Sequence, residues 1–322
     1  VSSVPRLSIG LPIYNGERYL AESLDALLGQ TYEDFELIIS DNASTDGTQE
    51  ICREYAARDG RIRYLRQRTN IGACPNHNVT VHEARGELFK WASHDDLYGR
   101  DLLKVCVDAL DERPDVVLAH SYKALIDEHG AVTRPVEYTL TTDSPSAPER
   151  FRSVLFGVGG DDFYGVIRTD VLRRTPLNGS YHHSDRTITA ELALLGRFHQ
   201  VPELLFFRRD HPGRAERAKP TIRARCANMD PIRADRLRHP TVRLLGEYVW
   251  GFIDAIRRTP LSQADRWKCY GHLAHWAASR VRIGSGERAE DAAPVELDVP
   301  ILVETIVAGQ RERAHRQAEP LG

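Results

Sequence analysis

This chain has no long apolar run, no excess of charge of one sign and no cysteine pair with metal-like spacing. No stretch approaches the roughly 20 consecutive apolar residues that a membrane-spanning helix needs. The 43 Lys and Arg residues nearly balance 46 Asp and Glu, for a formal net charge of -3 and a pI near 6.5. That balance argues against a polyanion-binding surface, so nucleic acid is not an expected partner. Lysine is scarce and the positive charge is nearly all arginine, which carries no functional conclusion by itself. The five cysteines, Cys52, Cys74, Cys106, Cys226 and Cys269, are odd in number and scattered. They read as reduced thiols, and with them a cytoplasmic location is expected. The N-terminal segment has no charged start followed by an apolar core, so no signal peptide is expected in it. The chain opens at Val1 rather than Met, which leaves the native start open. Its 322 residues suffice for one large domain or two smaller ones with a sizeable core.

What is present begins as an alternation of strands and helices. Leu7-Ser8-Ile9-Gly10-Leu11 reads as a strand, and Leu20, Leu24, Leu27 and Leu28 mark one face of the helix after it. Strands are expected at 36–40, 62–65 and 88–92, with helices between them and another helix over 101–111. Asp46 reads as an N-cap, with Gln49 completing a capping box. Beyond it, a strand at 116–119, a hairpin turn at 127–130, a loop at 141–148 and a strand at 163–167 are expected. A helix over 188–195 ended by Gly196 and a late strand at 204–207 follow. This pattern predicts an α/β fold around a mostly parallel sheet. Residues 213–240, rich in Arg, Ala and Pro, read as a flexible lid or linker, and 241–283 as helical. A last helix is expected over 300–315, with Pro300 in its first turn.

The chemistry concentrates where strands end. Ser93-His94-Asp95-Asp96 follows the apolar run Leu88 to Ala92. Two adjacent carboxylates at the exit of a buried strand are costly unless something positive neutralises them. In a mostly parallel sheet that exit is also where ligands bind. A divalent cation carrying a diphosphate would satisfy both acids. Pro12-Ile13-Tyr14-Asn15-Gly16-Glu17 ends the first strand and offers an aromatic face across which a base can lie. Asp41 ends the second strand, where its carboxylate can accept from a base imide. Asn70-Ile71-Gly72 joins the third strand to a helix; Gly72 permits close approach, Asn70 is a turn former and Asn78 points back towards the sheet end.

The ordered succession of Pro12-x-Tyr14-Asn15, Gln30-Thr31-Tyr32, Phe35-Glu36-Leu37-Ile38, Asp41-Asn42-x-Ser44-x-Asp46-Gly47-Thr48, Asn70-x-Gly72, Gly86-Glu87 and Asp95-Asp96 resembles glycosyltransferase family 2 over roughly residues 6 to 110. Weaker similarity continues through Tyr164 to Arg168, Ser184-Asp185-Arg186 and Arg208-Arg209-x-His211. The resemblance implies a GT-A fold over residues 1–212. Residues 1–100 would form its nucleotide-sugar half and 101–212 its acceptor half, with a helical C-terminal extension over 241–322. It implies nucleotide-sugar contacts from Pro12, Tyr14, Glu17, Asp41, Asn70, Gly72, Asn78, Asp95 and Arg209. Asp96, with His211, would bind Mn²⁺ or Mg²⁺ bridging the diphosphate of a UDP-, GDP- or dTDP-linked donor. Many relatives carry an acid where Ser93 stands, while others keep only the paired acids. His94 reads as solvent-facing. Arg208, Arg209 and His211 have two readings, a contribution at the phosphates or a surface basic cluster.

The resemblance also assigns a catalytic base, Asp185, at the start of the helix after the acceptor-side strands. Helix capping is its plainer reading, Glu191 is a second candidate, and Asp161 and Asp162 are further ones. The acceptor, a saccharide, lipid-linked glycan or small molecule, is expected to meet loops at 135–162 and 175–184. Trp250, Trp267 and Trp276 read first as core packing, with peripheral membrane contact or a homodimer through the C-terminal helices as the other readings. Two other classes stand beside the transferase: a non-catalytic nucleotide-sugar-binding protein, and a dinucleotide oxidoreductase. The absence of Gly-x-Gly-x-x-Gly after the first strand counts against the latter.

Overall fold

The computed structural model describes residues 4–157, 161–214, 218–219 and 221–283. Nine strands join one mixed sheet among these residues. In chain order they are β1 (Leu7–Ile13), β2 (Phe35–Asp41), β3 (Ile62–Arg66), β4 (Leu88–Trp91), β5 (Leu97–Tyr98), β6 (Val116–Ile126), β7 (Val132–Val136), β8 (Val166–Arg168) and β9 (Arg197–Arg209). The spatial order is β3-β2-β1-β4-β8-β6-β9-β5, with β7 on β6. β3, β2, β1 and β4 run parallel, joined by helices. β8 lies antiparallel between β4 and β6, which restores the original direction in β6 and β9. The carboxyl ends of β1, β2, β3, β4 and β6 therefore share one edge.

The helices are α1 (Glu17–Leu28), α2 (Thr48–Arg58), α3 (Ala73–Glu83), α4 (Leu102–Glu112), α5 (Ala147–Phe156), α6 (Thr169–Leu172), α7 (Ser184–Leu195), α8 (Ile222–Met229), α9 (Thr241–Arg258) and α10 (Gln263–Ile283). α1 and α4 cover one sheet face, setting Leu20, Leu24, Leu103 and Leu110 against Ile9 and Ile39. The other face carries α3, α5 and α7, with Phe89, Trp91, Phe151, Leu155 and Leu192 in one cluster. The leucine stripe of α1 is buried at Leu20, Leu24 and Leu27, while Leu28 sits at the margin.

Several expectations change. The 241–283 stretch is helical as expected, but it is no appendage. Tyr248, Phe252, Ile256, Leu273 and Trp276 belong to the same apolar cluster as α5 and α7, so α9 and α10 complete the core on that face of the sheet. Of the tail tryptophans only Trp276 is buried; Trp250 and Trp267 are 54% and 71% exposed. The 213–240 stretch contains α8 and a 3-10 turn at 231–234, and α8 packs on α3, so its described part is no plain linker. The expected 141–148 loop runs into α5, whose first turn holds Pro148 behind Ser146. Residues 161–164 form a 3-10 turn and the strand begins only at Val166. Asp46 stands one residue before the N-cap, Gly47, and Gln49 forms no box. The helix expected over 300–315 lies outside the described residues. All five cysteines are free and buried. No described helix is long and apolar enough to cross a membrane.

Candidate active site

The loops after β1 and β2 are built as an interlocked pair. Asn15 takes a left-handed backbone, φ 53°, and Ala43 opposite it φ 61°. Asparagine tolerates that region; alanine at this φ carries a cost, which its neighbours must hold in place. The Asn15 amide N–H donates to Ser44 Oγ at 3.0 Å, and Asn15 Oδ1 accepts from Thr45 N at 2.8 Å. Gly16 N donates to Thr48 Oγ1 at 2.8 Å. Glu17 and Asp46 then exchange contacts: Glu17 N donates to Asp46 Oδ2 at 3.1 Å, and Gly47 N to Glu17 Oε2 at 2.6 Å. Glu17 thus fastens one loop to the other. Tyr14, 45% exposed, presents its ring at the rim beside half-buried Pro12.

Asp41 is fully buried and its carboxylate is taken up by the protein. Oδ1 accepts from Ser44 N at 2.8 Å; Oδ2 accepts from the Tyr64 hydroxyl at 2.7 Å and pairs with Arg66 Nε at 3.1 Å. In place of the expected imide contact, the Asp41 carboxylate shapes its own loop from beneath. The next loop is held by Asn42, which sequence reasoning assigned no role. Its Nδ2 donates to Asn70 Oδ1 (3.0 Å) and Gly72 O (3.2 Å), and its Oδ1 accepts from Ile71 N (2.8 Å). Asn70 Oδ1 also accepts from Gly72 N at 2.9 Å, so Asn70 holds this turn. Asn78 is likewise corrected: its amide pairs both ways with the Asn178 backbone, at 3.0 and 2.9 Å. Gly72 does admit a close neighbour. Its φ is 94°, and a Cβ there would lie 2.4 Å from the Met229 carbonyl oxygen. The visitor is the chain's own backbone.

The paired acids sit on a braced turn. The Tyr98 hydroxyl accepts from Ser93 N at 2.8 Å and donates to Ser93 O at 2.9 Å, tying the turn to β5. The Ser93 hydroxyl donates to Asp95 Oδ1, so the serine that replaces a third acid supports its neighbour. Asp95 Oδ2 lies 3.0 Å from His211 Nε2, whose ring packs edge-on against Tyr19 at 5.0 Å. Burial by itself raises the Asp95 carboxyl; the His211 bond, His94, Ser93 and Arg214 outweigh it and hold Asp95 well below the usual carboxylate range. Asp96 is buried and accepts from Arg209 N at 2.9 Å. His94 is half-buried against Gly16 and does not face solvent freely.

Arg209 is the main correction. Its side chain is 1% exposed. Nε donates to Asp95 O at 2.8 Å, one terminal nitrogen to Asp127 O and Glu128 O at 3.2 and 3.1 Å, and the other to Glu22 Oε2 at 2.6 Å. The guanidinium also lies 4.6 Å from the Tyr19 ring centre. Arg209 is therefore a strut joining β9, the β6-β7 hairpin, α1 and the acidic turn, buried and with four of its five donors engaged by the protein. The sequence hid this because an arginine after a strand looks alike in either role.

Asp185 stands in the first turn of α7, behind His183 at φ 57°. It is half-exposed, and its Oδ1 accepts from the N–H of Arg186 at 2.9 Å. Ser184 Oγ lies 3.5 Å from Cys74 Sγ, so the start of α7 abuts the start of α3 and the Gly72 loop. Glu191, the second candidate, is 3% exposed and forked by Arg258 of α9 at 2.9 and 3.2 Å. It ties two helices and is closed to substrate. Asp162 lines a separate cavity; the Asp161 side chain lies outside the described residues.

Residues 8–159, just under half of the chain, match the sequence profile of glycosyl transferase family 2. The chain is 33% identical over 117 residues to the glycosyltransferase GlyG of Streptococcus pneumoniae, a match covering 36% of this chain and 39% of GlyG. The chain thus spans about two fifths of that relative's length. Among solved structures it superposes on S. aureus TarS 1–349 in complex with UDP-GlcNAc. The TM-score is 0.52 and the identity 18%, with 86% of this chain and 92% of that one covered. The mannosyltransferase PcManGT of Pyrobaculum calidifontis, in complex with GDP-Man and Mn²⁺, gives a TM-score of 0.50 at 18% identity, covering 98% and 83%. These likenesses establish the GT-A architecture.

Proposed function

We propose that the chain transfers a sugar from a nucleoside diphosphate sugar to an acceptor hydroxyl, with inversion at the anomeric carbon. The observation that carries this reading is the Asp95-Asp96 pair on a braced turn at the carboxyl edge of a family 2 sheet. The base would lie along the Tyr14 face over the interlocked Asn15 and Ala43 loops, with Asp41 underpinning that floor. Asp95 would face the ribose or sugar.

The residues fit a divalent cation of the Mn²⁺ or Mg²⁺ kind. Asp95, Asp96 and the His211 imidazole offer oxygen and nitrogen donors, and His211 Nε2 and Asp95 Oδ2 already stand 3.0 Å apart. No group of three or more His, Cys, Asp or Glu side chains among the described residues is arranged for a metal on its own, so phosphate oxygens and water would complete the shell. Such an ion, when bound, would neutralise the departing diphosphate. Asp185 would take the acceptor hydroxyl's proton on the side opposite that leaving group.

The test is donor hydrolysis and nucleotide calorimetry across UDP, GDP and dTDP sugars, with and without Mn²⁺. One nucleotide should bind in a metal-dependent way and its sugar should be released slowly; Asp96→Asn should lose both. Binding without release or transfer would identify a nucleotide-sugar sensor. No metal-dependent binding of any of the three would overturn the transferase reading.

A further inference from the structure

A small pocket opens against the sheet where β8 lies between β4 and β6. Its wall includes Lys90, His120, Tyr138, Tyr164, Gln200 and Phe206. Four of these carry aromatic rings, and all but Phe206 carry a polar group. Of the nucleotide-handling residues named above, none lines it. It borders both ends of the chemistry. Lys90 and Tyr98 feel the charge of Asp96, and the 161–164 turn on its far side packs on α7, which carries Asp185.

His120 supplies the second observation. It is 9% exposed. Its Nδ1 lies 3.2 Å from the Ser121 carbonyl oxygen, which can only accept, so the ring proton belongs on Nδ1. Nε2 then carries a lone pair. It is buried and has no hydrogen-bond partner among the described residues. Burial pushes His120 down to about 4, so the ring is neutral near pH 7 and the lone pair is available. A buried acceptor left unmade costs about 1–3 kcal/mol. The ring is fixed in place by Tyr138, 4.5 Å between centres, whose own hydroxyl is engaged with Thr142 at 2.6 Å.

This chemistry selects the occupant. The wall's two acids, Glu137 and Asp162, are balanced by two lysines, Lys90 and Lys123, so it carries no net charge and suits a neutral occupant better than an ion. The described residues hold no metal cluster to which the imidazole could belong. Aromatic faces next to scattered hydrogen-bonding groups suit a ring that is apolar on its C–H face and hydroxylated at its edge. Resting on the transferase reading for its role, we propose that this cavity binds a neutral sugar ring of the acceptor, one hydroxyl of which donates to His120 Nε2.

The experiment is saturation-transfer NMR with the methyl glycosides of glucose, galactose, mannose and N-acetylglucosamine, run beside calorimetry with the nucleotide. At least one glycoside should bind the wild-type protein. His120→Phe keeps the ring against Tyr138 and removes the lone pair; it should weaken that glycoside tenfold or more, leave nucleotide affinity within twofold and leave Tm no lower. Val136→Trp, on the edge strand β7, fills the cavity without altering His120 and should produce the same loss. If no glycoside binds a wild-type protein that does bind nucleotide, the cavity inference falls and the transferase reading stands. Unchanged glycoside binding in His120→Phe, or in Val136→Trp should the first variant not fold, also overturns it. If glycoside binding depends on His120 but no nucleotide binds, the transferase reading falls instead and the sugar site remains.

Discussion

The two halves of this sheet are held by different means. The half built on β1 to β4 is fastened at its loops by short polar side chains: Asn15, Glu17, Asn42 and Asp46 each bond to backbone of a neighbouring turn, and Asp41 to backbone of its own. The other half is fastened by apolar bulk, with α5, α7, α9 and α10 sharing one cluster and leaving a cavity against the sheet. The contrast shows that a motif residue need not be a contact residue. On the β1 to β4 side most of the motif residues make the loop floor rigid. On the other side His120, whose Nε2 has no partner among the described residues, lies outside every motif.

The sharpest test sets Asp185 against Arg209. Asp185→Asn should lower kcat by about 10²–10⁴-fold, the usual worth of a general base, while nucleotide affinity and Tm stay put. A variant that transfers sugar at the wild-type rate would make Asp185 a helix-capping residue and nothing more. Arg209→Ala should do the reverse, costing about 3–5 kcal/mol in urea denaturation, because several buried acceptors lose their donor together. A loss below about 1 kcal/mol would mean that the strut is redundant.

Lys90 gives a smaller effect with a definite sign. Its ammonium is 1% exposed, donates to Tyr164 O and lies between the Tyr98 and Phe206 rings, at 5.3 and 5.6 Å. Burial pulls it from 10.5 down to about 8. Below pH 8 the folded protein carries a charge it would rather shed; between 8 and 10.5 the unfolded chain binds more protons than the folded one. Wild-type stability should therefore rise over that window relative to Lys90→Met, by up to about 3 kcal/mol. Parallel pH profiles for the two proteins would refute this placement of the lysine.

How much of this was legible in the sequence varied with what each residue touches. Strands β1 to β4 and helices α1 to α4 announce themselves through apolar runs and leucine spacing, because they bury whole faces. β9 was seen only at 204–207, since Pro202 and Glu203 interrupt its apolar pattern while β6 still pairs along its length. α8 buries only Cys226, so it leaves no periodic trace. The start of α5 was signalled by Ser146 and Pro148 and was read as a loop because those residues also favour turns. Among site residues, Asp95 and Asp96 were legible because adjacent acids after a buried strand demand an explanation. Arg209 and Asn78 were misassigned because a polar side chain near a strand end can serve ligand or backbone equally, and only geometry separates the two. His120 was invisible, one histidine in a strand, until the partnerless nitrogen appeared.

The meeting of Gly72 with Met229 has a consequence for anyone who would recombine this chain with a relative. Residues more than 150 positions apart share a seam with room for a hydrogen atom and nothing larger. A hybrid that borrows its first third from one parent and the remainder from another inherits the two sides of that seam separately. Exchanging the donor specificity of such enzymes by cutting after the acidic turn would succeed only where both parents leave that gap bare.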